Sequence, residues 1–486
     1  MRGRDVNGRP KIHLIGICGT AMATLAALLK ARGLEVQGSD HGVYPPMSEF
    51  LAAEGVRAFD GYDAAHITGD LSLVVVGNAI SRGNPELEAV LSRKIRHCSL
   101  PEAIREHFLW GARSIVIAGT HGKTTTTSLT GWVLTSAGVD PTVLVGGIAK
   151  NFGEGGSSYR VGSGRDFVIE GDEYDSAFFD KTAKFLKYLP DIAVITNIEF
   201  DHADIYPDLD AVLQAFRRLT LLVPKTGRLL LGHDSEHARV LKDGAVSPVE
   251  TFGFNEDADW VAYDLQAGDG VQRFSVRHGA EYVGAFELPL FGRHNVANAL
   301  AAIAVGQAIG LDATTIARGL KTFAGVKRRL EVVGEVAGVT VYDDFAHHPT
   351  AVAETLKAVR EAFPSRRIWA VFEPRSASSC RKVFQRDFAA AFSGEHADET
   401  LVASVFRSTL PEAERLSVDD LIRDLCRAGK RARHVGGADN IIETIAAEAR
   451  RGDLVVIMSN GGFDDIHRRL LARLRETGVP QSEGAA

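Results

Sequence analysis

At 486 residues the chain is too long for one ordinary domain and points to about three, each able to bury its own core. It is 45% hydrophobic and 24% charged, which describes a globular protein, and its net charge of -7 argues against a general nucleic-acid binder, which presents a basic face. Anionic small substrates stay open, because they need only local positive charge.

Cys18, Cys98, Cys380 and Cys426 are scattered without a Cys-x-x-Cys pair, so reduced thiols in a cytoplasmic protein are expected rather than a disulfide or zinc framework. No stretch approaches the roughly 20 apolar residues that span a bilayer, so no membrane insertion is expected. Arg2, Arg4, Arg9 and Lys11 precede Ile12-His13-Leu14-Ile15, but a glycine turn follows at once and leaves no signal-peptide core.

Lys11 to Ile15 predicts a first strand, followed by the turn Gly16-Ile17-Cys18-Gly19-Thr20 and an Ala/Leu-rich helix to about Ala31. Gly33 stops that helix, and Leu34 to Asp40 predicts a second strand ending in an acid. A glycine turn after the first strand with an acid ending the second is the dinucleotide-fold arrangement, in which the acid meets a ribose hydroxyl or a base. The spacing is Gly-x-x-Gly and not Gly-x-Gly-x-x-Gly, so it fits a nucleotide diphosphate about as well as NAD. Leu71 to Val76 predicts a buried strand ending at Gly77-Asn78-Ala79-Ile80-Ser81, and a boundary falls near Trp110 to Arg113.

The apolar run Ser114 to Ala118 then enters Gly119-Thr120-His121-Gly122-Lys123-Thr124-Thr125-Thr126, and the rest of the chain is organised around this stretch. A strand, a glycine turn and a Lys-Thr helix start form a phosphate cradle: backbone N–H groups and the helix N-terminus face the anion, the lysine adds a point charge, and a hydroxyl can ligate Mg²⁺. It is a variant form, with Ile117 where the strict pattern has glycine. Asp166 to Glu170 predicts a strand running into Gly171-Asp172-Glu173-Tyr174-Asp175, an acid cluster suited to a Mg²⁺ site, with Glu170 closest to the strand end. Ile192 to Thr196 delivers Asn197-Ile198-Glu199-Phe200-Asp201-His202, where His202 reads either as a metal ligand or as a packed loop histidine.

Beyond Phe252 short alternating runs such as Val271 to Val276 predict a small antiparallel patch, and the helix after Gly292-Arg293-His294-Asn295 carries polar residues able to hold an adenine. A linker, Thr322 to Glu331, carries Arg328 and Arg329. A third unit opens at Val339 to Thr350 and alternates strand with helix, with clear strands at Arg367 to Glu373 and Asp453 to Ser459. Disorder is expected after about Thr477.

Five motifs stand in one order: Gly119-Thr120-His121-Gly122-Lys123-Thr124-Thr125, then Glu170-Gly171-Asp172-Glu173, then Thr196-Asn197-Ile198-Glu199 with Asp201-His202, then Gly292-x-His294-Asn295-x-x-Asn298, then Asp343-Asp344-x-Ala346-His347-His348-Pro349-Thr350. In this order they resemble the Mur ligases, ATP-dependent amide-bond formers of the bacterial cell wall, from Ile12 to about Leu474. The resemblance implies an α/β protein of three domains. A Rossmann-like UDP-sugar-binding domain spans 1–111, a central P-loop ATPase-like α/β domain with a small antiparallel sheet spans 112–328, and a Rossmann-like peptide-binding domain spans 329–486.

The amino-terminal loop and the double histidine are similar to the branch whose acceptor is UDP-N-acetylmuramate. Gly16 to Thr20 with Val43-Tyr44-Pro45-Pro46-Met47-Ser48, Phe372 to Ser376, and Met458 to Phe463 resemble the ligase of a recycled murein tripeptide, L-alanyl-γ-D-glutamyl-meso-diaminopimelate, more than the ligase of free L-alanine.

The resemblance also implies roles. Gly119, Thr120, His121, Gly122, Lys123, Thr124 and Thr125 hold the ATP phosphates, with Lys123 on the β- and γ-groups. Thr124 and Glu170 hold one Mg²⁺, and His202 with Glu170 a second. Arg329 or its neighbour Arg328 neutralises the γ-phosphate, Asn295 reads adenine and Asp344 the ATP ribose. Gly16, Gly19 and Thr20 take the UDP diphosphate, Asp40 the uridine, and Ser81 lies near the sugar. His347 and His348 lie close to the reaction centre on the peptide side, Arg375 takes a peptide carboxylate, and Asn460 to Phe463 wall the same pocket. Some relatives use a carbamylated lysine about fifteen residues after the histidine; Arg217 stands at that distance here, and the branch is expected to do without it. A nicotinamide oxidoreductase could use the first glycine loop, but it leaves the Lys123 loop, the acids and the third domain without a role.

Overall fold

The computed structural model describes residues 10–44, 47–268, 270–406 and 410–477. The expected disorder beyond Thr477, Pro45 and Pro46 of the proline loop, and the N-terminal Arg2, Arg4 and Arg9 lie outside the described residues.

Among the described residues three large sheets and one two-stranded hairpin are built in chain order. The first holds β1 (Lys11–Ile15), β2 (Glu35–Asp40), β3 (Arg57–Asp60), β4 (Leu73–Val76) and β5 (His97–Ser99), all parallel in the order β3-β2-β1-β4-β5. The chain reverses its winding beside β1, so the turn Gly16–Gly19 and the end of β2 open at the crevice where such folds bind ligands.

The central sheet has ten strands. β6 (Arg113–Ala118), β7 (Thr142–Ala149), β8 (Ser157–Arg160) and β9 (Asp166–Glu170) form one half. A separate hairpin, β10 (Asp175–Ala177) and β11 (Asp180–Ala183), stands before β12 (Ile192–Ile195), β13 (Arg228–Gly232) and β14 (Val249–Gly253). The antiparallel patch, β15 (Trp260–Gly268), β16 (Val271–His278) and β17 (Glu281–Leu288), continues the same sheet beyond β14, in the order β17-β16-β15-β14-β13-β12-β6-β9-β7-β8. Buried on both faces, β6 and β12 read as unbroken apolar runs, as parallel strands do.

The third sheet holds β18 (Glu331–Val336), β19 (Val339–Asp344), β20 (Ile368–Phe372), β21 (Glu399–Ala403), β22 (Ala432–Gly436) and β23 (Leu454–Met458), in the order β18-β19-β23-β20-β21-β22. Among the described residues, only β18 runs antiparallel in this sheet.

The first and central units share one core: Leu25, Leu29, Ile104 and Phe108 pack in the same cluster as Val116, Phe167 and Phe216, and the Phe108 and Phe167 rings lie 6.0 Å apart. The third unit has its own two cores, one on each face of its sheet. Its linker is pinned to the central unit as far as Lys327, whose N–H donates to Ile148 O at 2.9 Å; Arg328 O then accepts from Phe345 N of the third unit at 2.8 Å. The pivot therefore lies between Lys327 and Arg328. Arg328 (φ 60°) and Leu330 (φ 47°) hold the left-handed backbone that side-chain-bearing residues rarely adopt, and both are held there by third-unit acids: Arg328 N donates to Glu331 and Leu330 N to Asp344.

Candidate active site

β6 delivers the phosphate loop. Gly119 has φ 127°, and a Cβ there would lie 2.1 Å from Thr196 Oγ1; Gly122 has φ 82°, and a Cβ would lie 2.4 Å from Asn298 Oδ1. Only glycine lets the loop pass this close to β12 and to the helix Arg293–Ala308. The helix Lys123–Ser136 follows at once, so its N-terminus points at the loop.

Lys123 Nζ donates to Gly119 O at 2.6 Å and to Thr120 O at 3.2 Å, and pairs with Glu173 at 2.9 Å. Burial opposes its charge, but Glu173 and Asp172 outweigh burial and raise the Lys123 pKa. The ammonium is thus charged at neutral pH.

The acid loop after β9 splits into two tasks. Glu170 accepts from Thr124 Oγ1 at 3.0 Å and from Gly146 N at 2.7 Å. Burial raises its carboxyl above the usual range, a tension that a cation would relieve. Any Cβ at residue 146 would lie 2.8 Å from the Glu170 carboxylate, so glycine there is what lets the acid seat. A hydroxyl and a carboxylate oxygen side by side at a helix start suit a hard divalent cation such as Mg²⁺.

Glu173, two residues beyond the favoured acid's glycine, takes the other task. Its carboxylate meets both Lys123 and His202 Nε2, the latter at 2.9 Å, while His202 Nδ1 lies 2.9 Å from Tyr174 Oη. The chain turns after Gly171 and carries Glu173 towards β12, so Glu173 is the acid that His202 meets here. Burial disfavours the His202 cation, yet Glu173 and Asp201 raise its pKa on balance.

Arg328 and Arg329 separate cleanly. Arg328 spends its donors inside the third unit, on Asp343 at 3.2 Å and on Ser459 O and Gly461 O, both at 2.7 Å. Arg329 makes no hydrogen bond among the described residues; it lies over Phe345 at 4.9 Å, and burial lowers its pKa against the opposing pull of Asp344 and Glu170. Asp344 is tied to the linker and to its own loop. It is 5% exposed, and its oxygens accept from Leu330 N, Ala346 N and Thr355 Oγ1. Asn295 likewise faces inward, donating to Phe291 O at 2.9 Å and accepting from Asn298.

A cavity of about 810 Å³ runs between the first and central units, from Gly16, Gly19, Thr20 and Asp40 to Glu170 and Lys184. Asp40 accepts from Cys18 N at 2.7 Å and Tyr62 Oη at 3.1 Å, which ties the glycine turn to the end of β2. Ser81 does not line this cavity; Asn78 and Ala79 do. Lys184, which pairs with Asp172, lines it too, and no local motif announces that lysine: the β10–β11 hairpin folds it back.

On the third unit, His347 Nδ1 is bound to Phe345 O at 2.9 Å, and burial holds the ring neutral with its pKa lowered to about 4. His348 bonds Phe200 O at 3.2 Å, Thr350 donates to Glu199 at 2.7 Å, and Ser378 donates to Asp201, so the third unit sits on the loop that carries His202. Arg375 lies on the same stretch as Ser378, stacked 3.5 Å over Phe406. A Cβ at Gly461 would lie 2.0 Å from Arg375 Nε, so the glycine of β23's loop is the floor on which the guanidinium rests. Beside it, Asn460 Oδ1 is buried without a hydrogen-bond partner.

Three family models match in succession: the Mur ligase family catalytic domain over residues 11–109, the Mur ligase middle domain over 117–306, and the Mur ligase glutamate ligase domain over 328–461. The chain belongs to the Mur ligase family. It is an ATP-dependent ligase. A relative in Haemophilus influenzae, the UDP-N-acetylmuramate–L-alanyl-γ-D-glutamyl-meso-2,6-diaminoheptandioate ligase, is 39% identical over 96% of this chain and 99% of its own. The crystal structure of a murein peptide ligase from Psychrobacter arcticus is 36% identical, with a TM-score of 0.68 over 96% of this chain and 98% of that one. A UDP-N-acetylmuramate–alanine ligase from Thermotoga maritima superposes with a higher TM-score, 0.76, at only 25% identity over 96% and 99% of the two chains. A whole-chain superposition weighs how three domains are set relative to one another, whereas identity weighs the side chains that choose a substrate. Identity is the better guide to substrate.

Proposed function

We propose that this Mur ligase joins the amine of L-alanyl-γ-D-glutamyl-meso-diaminopimelate to the lactyl carboxylate of UDP-N-acetylmuramate, with ATP converted to ADP and phosphate, as a step of peptidoglycan recycling in the cytoplasm. The observation that carries the reading is the cavity that begins at the Gly16–Thr20 turn and ends against Glu170, beside Lys123. A nucleotide sugar laid along it, diphosphate on the helix N-terminus at Thr20 and uridine towards Asp40, brings its acyl end to the phosphate loop. The relative that bears this activity in its name matches the chain end to end. The division near residues 111 and 328 belongs to the same reading, supported by the three successive family matches and by the pivot after Lys327.

A lactyl carboxylate oxygen attacks the γ-phosphorus and ADP leaves; the peptide amine then attacks the acyl carbon and phosphate leaves. Two anions must meet in the first step, so fixed positive charge around the phosphoryl group carries most of the catalysis. Lys123 supplies one charge, held on the loop by Gly119 O and Glu173. Arg329 supplies the second, its donors uncommitted and its plane fixed by Phe345; Arg328 is a linker residue in this account, and Asp344 positions the linker. Thr124 and Glu170 would hold Mg²⁺, which supplies charge neutralisation at the transferring group. Glu173 positions Lys123 and His202 together. Arg375, on its Gly461 floor, can take a peptide carboxylate bidentately, and the open Asn460 amide oxygen beside it offers an acceptor to the peptide's amine or amide.

The deciding experiment is phosphate release with ATP, Mg²⁺ and UDP-N-acetylmuramate, comparing the tripeptide with free L-alanine at equal concentration. Strong preference for the tripeptide is expected. Preference for alanine overturns the acceptor reading while leaving the phosphate chemistry intact.

A further inference from the structure

Among the described residues, one group of His and Glu side chains other than Thr124, Glu170 and His202 could hold a metal ion. His121 comes from the phosphate loop, Glu199 from the segment after β12, and His348 from the N-cap of the helix Pro349–Ala362 in the third unit. Their ligand atoms all lie within 4.8 Å of one another. His121 Nε2 is 3.0 Å from Glu199 Oε2, and His348 Nδ1 is 3.5 Å from the same oxygen. A tetrahedral zinc with bonds of roughly 2.0–2.1 Å holds its ligand atoms about 3.4 Å apart, so both separations are already near what such an ion imposes.

The protons add a second, independent reason. Phe200 O can only accept, so the His348 Nε2 that lies 3.2 Å from it carries the ring hydrogen, and Nδ1 presents a lone pair. That Nδ1 is buried with no hydrogen-bond partner, on a residue 5% exposed. It faces a Glu199 oxygen that is itself an acceptor, already receiving the Thr350 hydroxyl. Two acceptors directed at each other inside a protein repel, and a cation between them reverses the sign.

We propose that His121, Glu199 and His348 form a binding site for a divalent transition metal of the zinc type, bridging the phosphate loop and the third unit. Two imidazoles and one carboxylate are a donor set that zinc favours and magnesium does not. The bound ion holds the two units together at the joint they must open to exchange substrates.

The test uses the full chain with Co²⁺ as a spectroscopic stand-in for Zn²⁺, in excess Mg²⁺ so that the oxygen-rich site at Thr124 and Glu170 is filled. One equivalent of Co²⁺ is expected to give a tetrahedral absorption band that Zn²⁺ abolishes. The band is expected to vanish in H121N and in H348Q and to persist in H202Q. Absence of binding, or a band lost only in H202Q, overturns the proposal. Should either histidine variant fail to show a normal unfolding transition without metal, zinc X-ray absorption on the unsubstituted chain decides: two imidazoles are expected, and one or none overturns it.

Discussion

The two joints of this molecule are built from different mixtures of contacts. Between the first and central units the core does not stop: Phe108 stands on Phe167, Phe50 meets Tyr159 edge-on at 6.1 Å, and one apolar cluster includes residues of both. Between the central and third units single polar contacts, Thr350 on Glu199, Ser378 on Asp201 and Lys150 on Glu331, stand beside aromatic ones, Phe200 on Phe384 and Phe291 edge-on to Tyr342 and Phe363. Apolar area gives stability without direction, whereas a handful of hydrogen bonds can be made and broken at about 1 kcal/mol each. The first joint therefore fixes the cavity floor. The second is the one that can open, about the pivot after Lys327, to carry Arg329 and Arg375 to the reacting groups and away.

The largest test of this contrast is Phe108→Ala. It is expected to cost about 3–5 kcal/mol of unfolding free energy in denaturant titration, as for other buried aromatics, and to unfold the first and central units together. Separate transitions with the central unit unaffected would show that the core is not continuous. Arg329→Ala is expected to lower kcat by on the order of 10²–10³, with the unfolding midpoint almost unchanged, since the side chain has no hydrogen bond to lose. Arg328→Ala makes the complementary case, with stability of the third unit falling first; equal kinetic losses without destabilisation in both would remove the distinction drawn between them.

The second joint should also feel acid. Burial and the neighbouring Arg329 lower the His294 pKa to about 4, against an ordinary value of about 6.5. The unfolded or opened form therefore binds a proton that the closed form refuses between those values, and the stability this neutral ring contributes is complete above about 6.5 and declines as pH falls towards 4. Hydrogen exchange at the start of the helix Arg293–Ala308, read against pH, is expected to accelerate over that window and to flatten in His294→Gln. Smallest of all, Ser378→Ala is expected to cost about 1 kcal/mol, seen as a raised KM for the peptide with little change in unfolding midpoint. A change in the midpoint larger than in KM would make Ser378 part of a fixed interface.

Much of the site was legible because its chemistry is local. The strand, glycine turn and Lys123 helix start are contiguous, and so are the acid run after β9 and the double histidine. The central strands read correctly as well, since a strand buried on both faces must be apolar throughout. Arg375 could be named from its strand end, but the reason for Gly461, which is to pass beneath that arginine, lies 86 residues earlier in the chain and is visible only when β20 and β23 pair.

The sequence by itself determined the order of the units, the phosphate loop and the family to which the chain belongs, because each depends on residues close enough together to form a pattern. Tertiary structure alone decided that Glu173 meets both Lys123 and His202, that Arg328 is committed and Arg329 is not, that Asp344 bonds the linker, and that Lys184 enters the cavity. The reason is common to all four: a side chain's partner is set by where the backbone turns after its strand ends, and neither composition nor spacing records the direction of that turn.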